Sequence, residues 1–207
     1  MNKYEKYRCL TDEQKAIRIS IMDCIIDNGG SVNIELAKKW VKEHMESSEE
    51  TIDATFKQFI DTNVMVVIDD EITFIFPVSG KPTNHRITLE DGRSFCAMCA
   101  IDSIGTSYTF KQPVIINSMC AATGKEIELK VDNGKVLYTN NPEMYIIHVD
   151  LLKNTDWANA CWNIMNFFWT KNDLEAWLKA AGKENDPDVY AYNLDEAIEE
   201  SYYTFEV

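Results

Sequence analysis

The sequence predicts an α+β fold, in which a winged-helix-like helical part is followed by a mixed α/β part with a small sheet. Apolar residues recur at helical spacing through the first 60 positions or so, and a turn at Asp69-Asp70 separates two β-prone runs. Beyond the Pro/Gly-containing segment 77–82, β-prone runs and helical patterns are mixed. We therefore expect an N-terminal part of residues 1–78 and a C-terminal part of residues 79–207.

The first helix is predicted by a capping box, with Thr11 at its start and Gln14 three residues later. The Asn-Gly-Gly run at 28–30 should end this helix. The other elements expected in the N-terminal part are a helix over 33–44, a helix starting near 47–48, and a hairpin of strands 64–68 and 72–76.

In the C-terminal part, the apolar run 95–104 is predicted to be a helix that ends at Gly105. A further apolar stretch covers 157–168. The remaining predicted elements are strands at 86–89, 114–117, 127–131 and 145–149, and helices at 172–180 and 194–201.

The composition restricts the classes of function. The 207-residue chain carries a formal charge of −14 and shows no basic patch, which argues against a nucleic-acid partner. It lacks the roughly 18 consecutive apolar residues that span a membrane. The polar N-terminus does not resemble a secretory signal. We therefore expect a cytoplasmic protein, in which the six cysteines stay reduced rather than forming disulfides.

Thiols and a carboxyl group are concentrated in the predicted helix 95–104. At helical spacing, Cys96, Cys99, Asp102 and Ser103 would share one face. Thiolates are ligands for soft metals, and a carboxyl group in apolar surroundings has a raised pKa and can hold a proton near neutral pH. Two thiolates with one proton donor suit the cleavage of a carbon–mercury bond.

The same residues carry a resemblance to a known family. The run FCAMCAIDSIG at 95–105 resembles the active-site segment of organomercurial (alkylmercury) lyases, and SMCAATG at 118–124 resembles their second signature. Weaker similarity covers 77–85 and the segment from Ala160 to Trp177, so that the resemblance extends over roughly residues 75–200. It implies that Cys99 and Asp102 are catalytic, and that the N-terminal part is helical and winged-helix-like.

The resemblance also implies a second catalytic cysteine. An ungapped count back from Phe167-Phe168 places Trp162 at that position, whereas a shift of one residue places Cys161 there. We favour Cys161, because it is the one cysteine in that region. Cys96 is an additional thiol, either a core residue or an accessory mercury ligand, and Cys120 beside its turn is expected to be structural.

Two other interpretations compete with this one. Cys96 and Cys99 have zinc-ligand spacing and could form a site with Cys120 and Cys161, but a second Cys-x-x-Cys pair is absent. The three histidines are isolated, and His85 is expected to be a structural hydrogen-bonding partner. A winged helix can bind DNA through its third helix, but here that helix is predominantly acidic.

The sequence therefore predicts an enzyme of mercury detoxification and mercuric resistance, which cleaves organomercurials by protonolysis to hydrocarbon and mercuric ion. Cys99, Asp102 and Cys161 would be catalytic and would hold mercury as substrate and product, with no organic cofactor. The expected partners are a small organomercurial, low-molecular-weight thiols that extract the product, and a mercuric reductase. The alternative is a thiol-based metal-binding or metal-sensing protein of the same fold without turnover.

Overall fold

The computed structural model describes residues 8–151, 153 and 163–205. Cys161 and the first half of the predicted apolar stretch 157–168 lie outside these residues. The described helices are α1 (Asp12–Asn28), α2 (Ile34–His44), α3 (Glu49–Asp61), α4 (Ala100–Phe110), α5 (Lys171–Ala180) and α6 (Leu194–Phe205). The described strands are β1 (Val32–Asn33), β2 (Met65–Ile68), β3 (Glu71–Ile75), β4 (Val78–Ser79), β5 (Arg86–Leu89), β6 (Ser94–Ala97), β7 (Val114–Met119), β8 (Glu126–Asp132), β9 (Lys135–Thr139), β10 (Tyr145–Val149), β11 (Phe167–Phe168) and β12 (Val189–Asn193).

The N-terminal helices begin at side-chain caps. Thr11 Oγ1 accepts a hydrogen bond from the Gln14 backbone N–H, and the Gln14 side chain accepts one from Thr11, which confirms the predicted capping box. Helix α1 ends at Gly29 with a φ of 74°, a left-handed conformation that glycine adopts without steric cost. Helices α2 and α3 are capped by Asn33 and Ser48, at the positions where the sequence predicted the two helices to start. None of the described helices could cross a membrane.

One antiparallel sheet extends through both predicted parts of the chain. Its strands follow the order β1-β3-β4-β6-β5-β7-β8-β9, and β2 pairs with β3 in the predicted hairpin. Strand β4 was not predicted; it comes from the 77–82 segment and pairs with β3 on one side and β6 on the other. The division of the chain into residues 1–78 and 79–207 falls within this strand and stays a prediction.

The predicted helix 95–104 is wrong in its first half. Residues 94–97 form strand β6, which pairs with β4 and β5 and alternates between half-buried and buried side chains. The helix starts only at Ala100, and it continues through Gly105 to Phe110. A short apolar run is compatible with either a buried strand or a buried helix, and here pairing with β4 and β5 decides for the strand.

Helix α4 is the central helix of the C-terminal part, with buried residues from Ala100 to Thr109. It packs against α6, and Gly105 allows the close approach, because a Cβ at this position would lie 2.1 Å from Cδ2 of Phe205. Ser201 on α6 donates a hydrogen bond to the carbonyl oxygen of Ile101 at 3.1 Å. A second antiparallel sheet, in the order β11-β10-β12, adjoins the same helices.

A buried histidine connects the two sheets. His85 Nδ1 lies 2.9 Å from Ser118 Oγ, and the ring stands edge-on to Phe167, with 5.7 Å between ring centroids. Burial lowers the pKa of His85 to about 4, although a hydrogen bond with the Asn166 side chain acts in the opposite direction. His85 is therefore neutral at pH 7. It is a structural hydrogen-bonding partner, as the sequence predicted, and it fixes the start of β5 against the 166–168 segment.

We predict that His85 makes the protein less stable in mild acid. The unfolded chain binds a proton at this histidine near pH 6.5, whereas the folded chain does so only near pH 4. Its stabilising contribution is complete above pH 6.5 and is lost as the pH falls towards 4, by about 3 kcal/mol in total. Urea unfolding of the wild type and of His85→Asn between pH 4 and 8 should show a weaker pH dependence in the variant. His44→Asn is the control, because His44 is exposed, and parallel curves for wild type and His85→Asn would contradict the prediction.

Candidate active site

Cys99 occupies the junction between strand β6 and helix α4. It is the N-cap residue of the helix, with extended backbone angles of φ −146° and ψ 179°. Its Sγ accepts a hydrogen bond from the backbone N–H of Asp102 at 3.4 Å, in the place where a serine or aspartate oxygen usually stands. Ser103 Oγ donates to the carbonyl oxygen of Cys99 at 2.7 Å. These contacts fix the thiol relative to the first turn of α4.

The side chains of Cys99 and Asp102 form a direct hydrogen bond. The thiol of Cys99 donates to Oδ2 of Asp102 over 2.8 Å. Both residues are buried, with relative exposures of 1% for Cys99 and 5% for Asp102. The pair therefore shares one proton away from bulk water, and this proton can pass from sulfur to the carboxylate without crossing solvent.

The helix end favours negative charge at this pair. The first N–H groups of α4 give its N-terminus a partial positive charge, which stabilises a thiolate or a carboxylate nearby. Cys99 is the cap and Asp102 lies in the first turn, so both lie within its range. The sulfur thus has two features expected of a thiolate that binds a metal. A backbone N–H donates a hydrogen bond to it, and a neighbouring carboxylate can accept its proton.

The pair opens onto a small pocket with apolar walls. Its walls come from both predicted parts of the chain, since Phe76 precedes β4 whereas Thr204 and Phe205 lie on α6. An apolar wall favours an alkyl or aryl group over a hydrated ion. The lining residues are Phe76, Met98, Cys99, Ile101, Asp102, Leu151, Met165, Thr204 and Phe205.

Backbone contacts hold the pocket walls in place. The Ala100 N–H donates to the carbonyl oxygen of Met165 at 2.9 Å, which joins the start of α4 to the opposite wall. Arg18 on α1 is buried with 2% relative exposure, and its Nη2 donates to the carbonyl oxygen of Phe76 at 2.5 Å. Helix α1 thus supports a wall of the pocket, although no motif in the sequence indicates this role for Arg18.

The structure brings Cys99 and Asp102 together, but it does not bring Cys96 to them. Cys96 lies on β6, is half-buried, and lines a separate groove beside the 79–82 loop. The proposed helical face shared by Cys96 and Cys99 is therefore wrong, because the two residues belong to different elements. Its thiol lies 3.9 Å from the carbonyl oxygen of Thr83.

The other described cysteines are not among the described residues that line this pocket. Cys120 is buried in the turn between β7 and β8, where its carbonyl oxygen accepts from the Gly124 N–H at 2.8 Å. Cys24 is buried on α1, and burial together with the charge of Asp27 raises the pKa of its thiol to about 11. Such a thiol is poorly reactive at neutral pH. Cys9 is exposed.

The described residues contain no group of three or more histidine, cysteine, aspartate or glutamate side chains arranged for a metal ion. Cys161, which the sequence places in the site and also in the competing zinc site, is outside the described part of the chain. Of the other histidines, His44 is exposed on α2. His148 on β10 is buried, with Nε2 3.4 Å from Glu200 on α6.

Sequence reasoning missed several walls of the pocket, namely Phe76, Leu151, Met165 and the end of α6. They are ordinary apolar residues with no local motif. Thr204 and Phe205 follow Ser201 at helical spacing, which indicates a shared buried face but not what that face contacts. Their place in the site depends on the packing of α6 against α4, about 100 positions earlier in the chain.

The chain is similar to known proteins of one family. The family model described as MerB, alkylmercury lyase, matches residues 78–203. An alkylmercury lyase of Staphylococcus epidermidis is 26% identical over 123 residues, which is 59% of this chain and 56% of that protein. The match therefore spans little more than half the length of this curated relative.

Among solved structures, the fold is similar to that of the crystal structure of the mercury-bound form of MerB2. The TM-score is 0.73, with 23% sequence identity, over 99% of this chain and 97% of the other. Because the family model covers more than half of the chain, including Cys99, Asp102 and Cys161, the chain belongs to the alkylmercury lyase family.

Proposed function

We propose that this protein cleaves the carbon–mercury bond of organomercurials by protonolysis, giving a hydrocarbon and mercuric ion. The observation that carries the proposal is the buried Cys99–Asp102 pair, in which a thiol shares its proton with a carboxylate beside an apolar pocket. A soft sulfur ligand and a proton source at one place are what this reaction requires. Membership of the family and the mercury-bound relative support it.

In the first step, Cys99 becomes a mercury ligand. Its sulfur bonds to the mercury of R–Hg–X, the leaving group X⁻ departs, and the thiol proton passes to Asp102. The 2.8 Å contact gives this proton a direct path. The products of the step are the Cys99–S–Hg–R adduct and a neutral Asp102 carboxylic acid, with the organic group held by the apolar walls.

In the second step, the carbon–mercury bond breaks. A second thiolate, assigned to Cys161, binds mercury and increases electron density on the carbon. Asp102 transfers its proton to that carbon as the bond electrons move to it, so that R–H leaves and Asp102 becomes a carboxylate again. Mercuric ion remains bound by two thiolates, with the Asp102 carboxylate available as a further oxygen ligand.

We assign the second thiolate to Cys161 because it is the one cysteine in the part of the sequence where the family resemblance places the second catalytic cysteine. In the sequence it lies between Leu151 and Met165, which are both walls of the pocket. Cys96 has no part in this proposal, because it lines a different groove.

The proposed reaction also implies partners and a location in the cell. Two protein thiolates hold mercuric ion tightly, so low-molecular-weight thiols are needed to extract it. A mercuric reductase is the partner expected to consume the extracted ion, within a detoxification function that confers mercuric resistance. Reduced thiols of this kind are abundant in the cytoplasm, which is the location we propose. The chemistry described uses no organic cofactor.

The direct test is hydrocarbon release. Purified protein incubated with an organomercurial and excess thiol should release R–H, measured by gas chromatography, with repeated turnover. A protein that binds the organomercurial but releases no hydrocarbon is instead the thiol-based binding or sensing protein.

Cys99→Ser should abolish both mercury binding and cleavage, because a hydroxyl is a poor ligand for a soft metal. The variant should still fold, since serine is a preferred N-cap residue and can accept the Asp102 N–H in place of the sulfur. Thermal unfolding and binding are measured together, with the exposed Cys9 in Cys9→Ser as the control. Retained cleavage in Cys99→Ser would refute the mechanism.

Asp102→Asn should leave mercury binding intact and slow cleavage by roughly 10²–10⁴-fold, the usual loss when a general acid is removed. Asparagine has the same shape but cannot deliver a carboxyl proton. The control is Asp70→Asn in the β2–β3 turn, where φ is 63° and asparagine is well accommodated. Single-turnover hydrocarbon release is the measurement, and a wild-type rate in Asp102→Asn would rule out its role as the acid.

A further inference from the structure

Apart from Cys99 and Asp102, Thr204 is the polar residue among the described residues that line the active-site pocket. It lies on α6, lines the pocket together with Cys99 and Asp102, and has 4% relative exposure. Its hydroxyl oxygen is buried and has no hydrogen-bond partner among the described residues. A buried hydroxyl without a partner costs free energy, so its place in the pocket calls for a role.

Four serine and threonine hydroxyl groups on the same two helices donate to backbone carbonyls. On α4, Ser103, Thr106 and Ser107 donate to the carbonyl oxygens of residues three or four positions earlier. Ser201 on α6 donates to Ala197 in the same way, at 2.8 Å. Threonine in a helix commonly makes this bond. Thr204 does not, which leaves its hydroxyl free to donate elsewhere.

The proposed reaction creates a demand for such a donor. In the resting protein, Asp102 accepts a hydrogen bond from the Cys99 thiol. Once the Cys99 sulfur has bound mercury, this donor is gone. When Asp102 then gives its proton to carbon, it becomes a charged carboxylate in a buried pocket, and a hydrogen bond from a neighbouring hydroxyl would stabilise that charge.

We infer that Thr204 is a positioning residue, whose hydroxyl donates to the Asp102 carboxylate once Cys99 has bound mercury. This inference rests on the proposed function. Both residues line the same pocket, and rotation about χ1 can reorient the threonine hydroxyl. By donating to the carboxylate that forms, the hydroxyl stabilises the charge that develops during proton transfer.

Titratable and charged groups occur on the elements that pack around Thr204. Cys99 and Asp102 are the titratable side chains among the described residues that line the pocket. Glu200, one turn earlier on α6, lies 3.4 Å from His148 on β10. The guanidinium of Arg18, on α1, donates to the backbone carbonyl of the pocket residue Phe76.

The test is single-turnover hydrocarbon release from the full-length protein, measured together with the binding of an alkylmercury compound as the probe. Thr204→Val keeps the shape of threonine and removes the donor. The rate of release should fall by about tenfold while binding stays unchanged, because one hydrogen bond to the carboxylate that forms is lost. Thr204→Ser keeps the hydroxyl and should restore the rate.

Thr109→Val is the matched control. Thr109 is also a buried threonine whose hydroxyl has no partner among the described residues, but it lies at the far end of α4 and does not line the pocket. Its rate of release should equal that of the wild type. An unchanged rate in Thr204→Val, or a loss that Thr204→Ser shares, overturns the inference and leaves the enzyme assignment standing. A wild type that releases no hydrocarbon overturns both.

Discussion

Helix α4 begins inside the protein, where water cannot satisfy the hydrogen bonds of its first N–H groups. The Cys99 sulfur accepts one of them, from Asp102. The atom that caps the helix is therefore the atom proposed to bind mercury, and the residue whose N–H it accepts carries the proposed acid. Because Asp102 is the third residue after the cap, the local chain geometry holds the two groups together. Strand β6 leads directly into this cap, and the surrounding walls are arranged around it.

The position of α6 completes the site. Gly105 lets Phe205 lie against α4, and Ser201 fixes the same contact through the carbonyl oxygen of Ile101. The last turn of α6 thereby contributes Phe205 and Thr204 to the pocket that Asp102 also lines. The buried pair of His148 and Glu200 joins α6 to β10 on its other side. A larger residue than glycine at position 105 would separate the acid from this wall.

Local signals allowed much of the fold to be predicted. The Thr11 capping box, the helix stop at 28–30 and the hairpin after α3 depend on residues close in sequence, and all three are present. Strand β6 was mistaken for helix because a short apolar run does not distinguish the two, and its strand pairing involves distant segments. The nearness of Cys99 and Asp102 was nevertheless predicted, because a helix cap and the third residue after it are as close as two residues one turn apart. Thr204 and Arg18 could not be found in this way, since tertiary packing alone brings them to the site.

The short strand β4 has a mechanical consequence. It hydrogen-bonds to β3 of the N-terminal hairpin and to β6, which leads into Cys99, while Phe76 just before it is a wall of the pocket. Many enzymes close an active site by rotating one domain against another about a flexible linker. Here a rotation at this point would break the ladder on both sides of β4. Phe76 and Cys99 thus both adjoin one continuous sheet, and this arrangement favours a pocket whose shape on this side is set before a substrate binds.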